Sequence, residues 1–135
     1  MSGPTIEEID EQECLELLRN KSKLGRVGFI EDGHPMILPV NYVAEEGSVV
    51  FRTPAGTKLS HLKNAAPAAF EVDSSRSAEQ SGWSVLVRGT ASEVSDPHEI
   101  DLLGRGPLES WGAAGDGHWV RITIDHISGR RISQE

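Results

Sequence analysis

Alternating apolar and polar positions predict three consecutive antiparallel strands in the first half of this chain. The strands cover about 25–30, 34–43 and 48–52, and in the first of them Val27 and Phe29 share one face. An Asp-Gly pair separates the first two strands, and such a pair between apolar runs is a strong hairpin signal. A Glu-Glu-Gly turn separates the second strand from the third. The three strands therefore predict a meander.

A capping box at Asp10 predicts the first helix. Asp10 is followed three residues later by Glu13, and the apolar residues from Cys14 onward recur at helical spacing. We expect this helix to run from about residue 10 to residue 20. Residues 1–9 are expected to form a flexible N-terminal segment that leads into it.

The second half of the chain predicts three more strands and two short helices. Gly89 is expected to mark a kink or bulge within its strand, and Ser128 and Gly129 are expected to turn the chain after the last strand. The polar stretch 74–82 has no apolar anchors and is predicted to be a loop. The strands cover about 67–73, 83–94 and 118–127, and the helices start at Thr57 and Asp96.

Six strands with antiparallel connections predict a mainly β fold of the α+β class. In this fold a small antiparallel barrel carries short helices at its rim. A chain of 135 residues is long enough for one such domain, which we expect to span 1–135.

The composition narrows the functional classes. The chain has 21 Asp and Glu against 13 Lys and Arg, and this acidic balance argues against a nucleic-acid partner. No apolar run approaches the roughly 20 residues of a membrane span, and no secretory signal is visible. Cys14 is the only cysteine and can form no internal disulfide, which favours the cytoplasm. A lone cysteine also excludes a structural zinc site of two or more cysteines, and we expect no metal.

The stretch 51–63 carries the strongest candidate chemistry. It is typical of a strand end, a tight turn and a short helix. Arg52 supplies a bidentate fork and Lys58 a mobile ammonium, while Thr53 and Thr57 supply hydroxyls beside the N–H groups of a helix start. These four residues predict a phosphate seat. The alternative is that the two cations flank an ordinary turn and that Thr57 is only an N-cap.

Pro39 lies inside the second predicted strand. Since proline has no N–H to donate, this residue belongs at an edge, a bulge or a bend. Neighbouring backbone groups are then left free, either for a planar heterocycle with its own donors and acceptors or for water.

Several short motifs occur in a definite order along the chain. They are LPVNY at 38–42, VFRT at 50–53, GTK at 56–58 and GWSVLVRG at 82–89, followed near the end by WVRI at 119–122 and ISGRRI at 127–132. Each motif alone is weak, and their order and spacing together carry the signal. Together they resemble the pyridoxamine 5'-phosphate oxidase-like flavin-binding family over about 14–96, with an ending similar to that of the small actinobacterial-type members.

This resemblance implies a six-stranded antiparallel split β-barrel that forms a two-fold homodimer with two FMN sites at the interface. It also implies an FMN-dependent oxidoreductase that acts on a small, planar substrate. From the other subunit, Ser84 would hydrogen-bond the flavin and Trp83 would pack beside it. The remaining implied contacts are the phosphate with Arg52, Thr53, Thr57 and Lys58, and the isoalloxazine edge with backbone groups of Leu38, Pro39, Val40 and Asn41.

Alternatives stay open at this point. Some relatives of this size use a deazaflavin and others bind heme, so the resemblance also allows a non-catalytic cofactor-binding protein on the same barrel. The C-terminal segment that holds pyridoxamine phosphate in the vitamin-making oxidases is not found, so activity on that substrate is not expected. No residue is expected to serve as a dedicated acid or base, because a flavin carries the electron transfer itself.

Several aromatic residues have structural interpretations beside the ligand roles. Trp83 fits a core or interface position as well as a flavin neighbour. Trp111 and Trp119 are expected to pack rather than to stack on a flavin. Tyr42 is expected to cap the barrel rather than to bind a substrate.

Overall fold

The computed structural model describes residues 3, 5–20, 24–54, 56–76, 81–106 and 117–133, and for 57–59 and 76 it describes the backbone alone. Within these ranges the chain forms seven strands and three helices. The strands are β1 (Thr5–Ile9), β2 (Leu24–Glu31), β3 (His34–Glu45), β4 (Ser48–Pro54), β5 (Ala66–Arg76), β6 (Ser81–Glu93) and β7 (Gly117–Ser133). The helices are α1 (Glu11–Asn20), α2 (Thr57–Leu62) and α3 (Pro97–Gly104).

Six of the strands close into a barrel, and all strand pairs are antiparallel. Neighbours follow the order β7-β4-β3-β2-β5-β6, and a further pairing of β6 with β7 closes the ring. One edge of β7 pairs with β4 and then with β1, while the other edge pairs with β6. The barrel of six antiparallel strands predicted from the alternation is therefore confirmed.

β1 is a seventh strand that the apolar pattern did not predict. It pairs along its whole length with the far end of β7, from Thr5 opposite Ser133 to Ile9 opposite Gly129. This differs from the flexible lead-in expected for residues 1–9. Ile9 is the only buried residue of the strand. A strand with a single buried side chain has no alternating apolar face. The formation of β1 therefore depends more on pairing with β7 than on its own sequence pattern.

The turn expected at Ser128 and Gly129 is wrong, because β7 runs through this point without a break. A Cβ at Gly129 would lie 2.7 Å from Sγ of Cys14 and 2.9 Å from the carbonyl oxygen of Ser84. Glycine is therefore required here by the close approach of α1 and β6 to β7, and not by a change of direction.

Most of the polar stretch expected to be a loop belongs to strands. β5 and β6 continue their ladder outward as far as Arg76 and Ser81, with Ser75 opposite Gly82. Residues 77–80 lie outside the described residues. Backbone pairing extends the hairpin here, and it does not depend on apolar side chains.

The irregularity expected at Gly89 is confirmed. The register between β6 and β7 shifts between Arg88 and Gly89. A Cβ at Gly89 would overlap the carbonyl oxygen of Thr123 in β7, so the two backbones approach too closely for any other residue.

Side-chain caps fix two of the helix starts. The N–H of Glu13 donates to Oδ1 of Asp10 at 2.8 Å, as the capping box predicts for α1. The N–H of His98 donates to Oδ1 of Asp96 at 3.2 Å, and a proline occupies the first position of α3. None of the helices in the described part of the chain is long and apolar enough to cross a membrane.

The main hydrophobic core fills the barrel interior. The ring of Tyr42 meets that of Phe70 edge-on, with centroids 4.8 Å apart. The hydroxyl of Tyr42 donates to the carbonyl oxygen of Leu18 at 2.6 Å. Tyr42 is therefore a structural residue that ties α1 to the barrel, as expected. The largest fully buried side chains are Phe51, Phe70, Leu18, Leu62 and Ile122.

Candidate functional site

The edge of β3 is open along the segment expected to meet a cofactor. β3 pairs with β2 from its first residue to Asn41, but it pairs with β4 only from Tyr42 onward. On its β4 side, residues 34–41 therefore have no partner among the described strands. Pro39 lies in this open stretch, which is the edge position expected for a residue without an N–H.

Side chains of the open stretch point alternately into and out of the barrel. Leu38 and Val40 pack against the main core. Pro39 and Asn41 alternate with them along the strand and therefore face outward. Because the side chains diverge in this way, a ligand along the open edge would meet backbone groups first.

Arg52 and Thr53 lie where β4 separates from β3. Phe51 is the last residue of β4 that pairs with β3. The next two residues pair with β7 alone among the described strands, Arg52 opposite Trp119 and Thr53 opposite His118. The open edge of β3 and the end of β4 therefore flank the same split in the barrel wall.

The guanidinium of Arg52 is held in place without an acidic partner among the described residues. Its Cζ lies 5.4 Å from the centroid of the Trp119 ring, within cation–π range. A Cβ at Gly117 would overlap Nε of Arg52, so only glycine leaves room for this side chain. The Nε itself is buried and has no hydrogen-bond partner in the described part of the structure. An unpaired buried donor costs about 1–3 kcal/mol, so an incoming acceptor would be favoured.

Thr53 is buried at the end of β4, with 4% of its surface exposed. Nδ1 of its cross-strand neighbour His118 lies 2.7 Å from Oε2 of Glu93. The carboxylate of Glu93 therefore lies near the residue opposite Thr53 and adds negative charge to this corner. That charge opposes an anion at this corner, and it is the main feature against a phosphate there.

Thr57 and Lys58 occupy the first turn of α2, and their side chains lie outside the described residues. Gly56 is the N-cap residue of α2, and as a glycine it has no side chain with which to cap the helix. Thr57 is therefore not the N-cap that the alternative interpretation expects. The phosphate contacts of Thr57 and Lys58 stay predictions.

Ser84 and its neighbour Trp83 lie far from the phosphate seat within one chain. Ser84 is opposite Arg130 on β7, whereas Arg52 is opposite Trp119 on the same strand. Trp119 and Arg130 are roughly 35 Å apart along β7 at about 3.3 Å per residue. One subunit does not bring these predicted contacts together, and the resemblance accordingly assigns Trp83 and Ser84 to the second subunit.

Trp83 and Trp119 pack against apolar side chains. Trp83 is half-buried against the main core. Trp119 is buried in a second cluster with Val50 and Val94, so the packing role expected for it is confirmed. Trp111 lies outside the described residues.

An ion cluster on the outer face of the barrel was not predicted. Nη1 of Arg26 lies 3.1 Å from Oε1 of Glu71 and 3.3 Å from Oδ2 of Asp73. Burial of the Glu71 carboxyl, followed by its hydrogen bond to Asp73 and the charge of Asp73, raises the pKa of Glu71 to about 7 against the opposing effect of Arg26. The three residues line a cavity of about 350 Å³ together with Ile37 and Leu86.

The alternation along β5 places Glu71 and Asp73 on one face, and this was visible in the sequence. Their contact with Arg26 depends on the register between β2 and β5, in which Arg26 lies opposite Glu71. That register joins segments far apart in the chain, and no local pattern indicates it.

Comparison with known proteins identifies the family. A family model described as pyridoxamine 5'-phosphate oxidase matches residues 10–131. An uncharacterized protein of Mycobacterium tuberculosis is 36% identical across 97% of this chain and 88% of its own length.

Two solved structures share the fold over nearly the whole chain. The FAD binding protein from Mycobacterium smegmatis is 36% identical with a TM-score of 0.81, covering 96% of this chain and 100% of that one. A candidate pyridoxamine 5'-phosphate oxidase from Corynebacterium glutamicum is 32% identical with a TM-score of 0.83 at the same coverage. The mainly β split barrel that the resemblance implies is confirmed, and the chain belongs to the pyridoxamine 5'-phosphate oxidase family.

Proposed function

We propose that this protein is an FMN-dependent oxidoreductase that acts on a small, planar substrate as a cytoplasmic homodimer. The observation that carries the proposal is the unpaired Nε of Arg52, buried at the split between β3 and β4. A guanidinium binds phosphate oxygens through several parallel N–H donors, and a phosphate would supply the acceptor that Nε has not found among the described residues.

The phosphate seat would bind the terminal phosphate of the cofactor. Arg52 would donate to the phosphate oxygens, and the hydroxyls of Thr53 and Thr57 and the ammonium of Lys58 would complete the contacts. Charge-assisted hydrogen bonds of this kind contribute about 1.5–3 kcal/mol each, which offsets the removal of the phosphate from water.

The open edge of β3 would hold the ring system. The backbone groups of residues 34–41 that face away from β2 would contact the polar edge of an isoalloxazine, with carbonyl oxygens as acceptors and with N–H donors only from residues other than Pro35 and Pro39. A bound flavin supplies hydride and electron transfer, so the chain needs only to orient the ring and to shield it from water.

A second subunit would complete each site. Ser84 and Arg52 are too far apart on one chain to contact the same flavin ring and phosphate. A two-fold dimer would bring β6 of one subunit to the split of the other, so that each interface carries two equivalent sites.

FAD is the second candidate cofactor, because the Mycobacterium smegmatis structure at 36% identity is an FAD binding protein. FMN and FAD share the isoalloxazine and the phosphate next to the ribityl chain, and the phosphate seat could bind either. A terminal phosphate carries more charge than one within a diphosphate, so the cationic seat favours FMN. The alternative function is a non-catalytic protein that holds a deazaflavin or heme on the same barrel.

Titration of flavin fluorescence tests the phosphate seat. Wild-type protein is titrated with FMN, FAD and riboflavin, which has the same ring without a phosphate. We expect FMN to bind most tightly, and Arg52→Ala to weaken FMN binding by about tenfold to a hundredfold. Riboflavin binding should be nearly unaffected by Arg52→Ala, because riboflavin has nothing for the guanidinium to hold.

Arg105→Ala is the matched control. Arg105 is an exposed arginine at the C-cap of α3 that pairs with Asp101 at 3.1 Å and is not one of the predicted phosphate contacts. The same loss of charge there should leave FMN binding unchanged. Equal affinity of wild-type protein for FMN and riboflavin would overturn the proposal. Bleaching of the bound flavin by a reductant and its recovery with an acceptor would distinguish an enzyme from a non-catalytic holder.

A further inference from the structure

A second groove lies on the outer face where the ends of β5, β6 and β7 meet β1. It has a volume of about 570 Å³ and is lined by Ile6, Asp73, Ser84, Arg130 and Ile132, among others. A groove of this volume is within the range of small-molecule sites. It is separate from the phosphate seat of the same chain.

The register puts a charged end and an apolar end on one face of this groove. Arg130 lies opposite Ser84 on β6, and Ile132 lies opposite Ile6 on β1. Arg130 and Ile132 are two residues apart on β7, so their side chains point to the same side of the sheet. Ile6 is 64% exposed and Ile132 is 41% exposed, which leaves an uncovered apolar patch beside the cation.

Gly82 contributes only backbone to the lining of the groove. Gly82 lies opposite Ile132, and a Cβ at Gly82 would lie 2.6 Å from the carbonyl oxygen of Ser74. Residue 82 therefore adds no side chain beside Ile132, and Trp83 adds an aromatic side chain to the lining. A flat ligand could lie directly on this surface.

The charge of Arg130 is uncompensated within the described residues. Its neighbour Arg131, on the other face of β7, hydrogen-bonds Glu13, but Arg130 forms no ion pair with any described residue. Asp73 is already bound by Arg26 at 3.3 Å. Glu8 lies opposite Arg130 on β1 without forming an ion pair with it in the described part of the chain.

We propose that this groove binds the carboxylate of a small aromatic or apolar monoanion through Arg130 and the hydroxyl of Ser84, with the body of the ligand against Ile6 and Ile132. The guanidinium provides two parallel donors for a carboxylate, and the serine hydroxyl adds a third. A phosphate monoester carries about −1.5 to −2 charges, which a single guanidinium beside Asp73 and Glu8 would balance poorly. The groove therefore selects a monoanion.

The inference deepens the proposed function, because Ser84 is the residue that would reach the flavin of the partner subunit. A carboxylate bound by Arg130 would place its apolar body beside that flavin, and the substrate class becomes small planar carboxylic acids. The binding of a carboxylate does not itself require a flavin, so the two proposals can fail separately.

Titration of the full-length, flavin-free protein with benzoate, phenyl phosphate and benzamide tests the groove. Isothermal calorimetry should detect benzoate binding at low salt, little binding of the neutral benzamide, and weaker binding of phenyl phosphate. Arg130→Gln should weaken benzoate binding by about tenfold or more, and Arg130→Lys should restore part of it. A parallel FMN titration of Arg130→Gln should match wild type.

Arg88→Gln is the matched control, since Arg88 is another outer-face arginine without an ion pair among the described residues, and it lines a different cavity. It should leave benzoate binding unchanged. Equal effects of Arg88→Gln and Arg130→Gln, tighter binding of phenyl phosphate than of benzoate, or no benzoate binding would each overturn the proposal. A loss of FMN affinity in Arg130→Gln would also overturn it, because the cation would then serve the cofactor. Normal benzoate binding by a protein that takes up no flavin would support the groove and reject only the flavoprotein assignment.

Discussion

Gly117 leaves the space that the side chain of Arg52 fills. A Cβ at Gly117 would overlap Nε of Arg52 and would lie 2.7 Å from its Cδ and Cγ. These atoms lie in the middle of the side chain, so the whole guanidinium would have to move to relieve the overlap. The orientation of the Arg52 guanidinium at the split therefore depends on glycine, with no Cβ, at position 117 of the neighbouring strand.

Gly117→Ala should therefore displace Arg52 without removing its charge. We expect FMN affinity to fall by about tenfold, with little change in riboflavin affinity, because only the phosphate contact is lost. Gly104→Ala is the matched control, since no atom lies within 4 Å of a Cβ at that position. An unchanged FMN affinity in Gly117→Ala would show that the placement of Arg52 does not matter to the cofactor.

Glu71 should make folding stability depend on pH in the neutral range. Its pKa is raised to about 7 in the folded protein and is about 4.3 in an unfolded chain. Between these values the folded state holds a proton that the unfolded state has lost, so stability falls as pH rises toward 7 and levels off above it. We expect a loss of about 1–2 kcal/mol from pH 5 to pH 8, because solvent partly screens this carboxyl.

Urea unfolding of wild type and Glu71→Gln at pH 5 and pH 8 measures this effect. The glutamine cannot titrate. The unfolding free energy of wild type minus that of Glu71→Gln should therefore fall by about 1–2 kcal/mol from pH 5 to pH 8. If the difference between the two proteins is the same at both pH values, the proton is not held at Glu71.

Gly89→Ala should be strongly destabilising. The new Cβ would overlap the carbonyl oxygen of Thr123, and a backbone atom cannot move aside as a side chain can. We expect a loss of about 2–4 kcal/mol in the free energy of unfolding, measured in urea. Gly28→Ala is the control, because the nearest atom would be Cβ of Ala69 at an ordinary 3.6 Å. Similar losses in the two variants would contradict the close approach of β6 and β7.

Tyr42→Phe should loosen α1 from the barrel. The substitution removes a 2.6 Å hydrogen bond and leaves the carbonyl oxygen of Leu18 with one buried partner fewer. We expect a loss of about 1–3 kcal/mol in the free energy of unfolding. Hydrogen exchange should show the extra opening in α1 first. Flavin affinity should stay unchanged, and a loss of binding at unchanged stability would instead indicate a ligand role for Tyr42.

Two strand glycines show how much of the fold the sequence can predict. Gly89 and Gly129 both stand inside long strands because another part of the molecule comes too close for a side chain. The apolar alternation continues on both sides of Gly89, so a bulge within a strand was predictable. At Gly129 the alternation fades and the neighbour is α1, at the other end of the chain, so the local pattern wrongly indicated a turn.

Some features of the candidate site could likewise be predicted from the local sequence, and others could not. Arg52 stands out locally, because a strand, a turn and a helix start follow each other within a few residues. The contact of Arg26 with Glu71 and Asp73 follows from strand register, and the space beside Arg52 follows from Gly117 on a distant strand. These relationships arise only when the barrel closes, and no periodicity within one segment encodes them.

The position of β7 has a consequence for synthesis on the ribosome. β7 is made after every other described strand, yet it pairs with β1, β4 and β6. Until it emerges, the strands on both sides of the gap expose unpaired edges to other nascent chains. The barrel can therefore close only after β7 has been translated, and until then the unpaired strand edges favour aggregation.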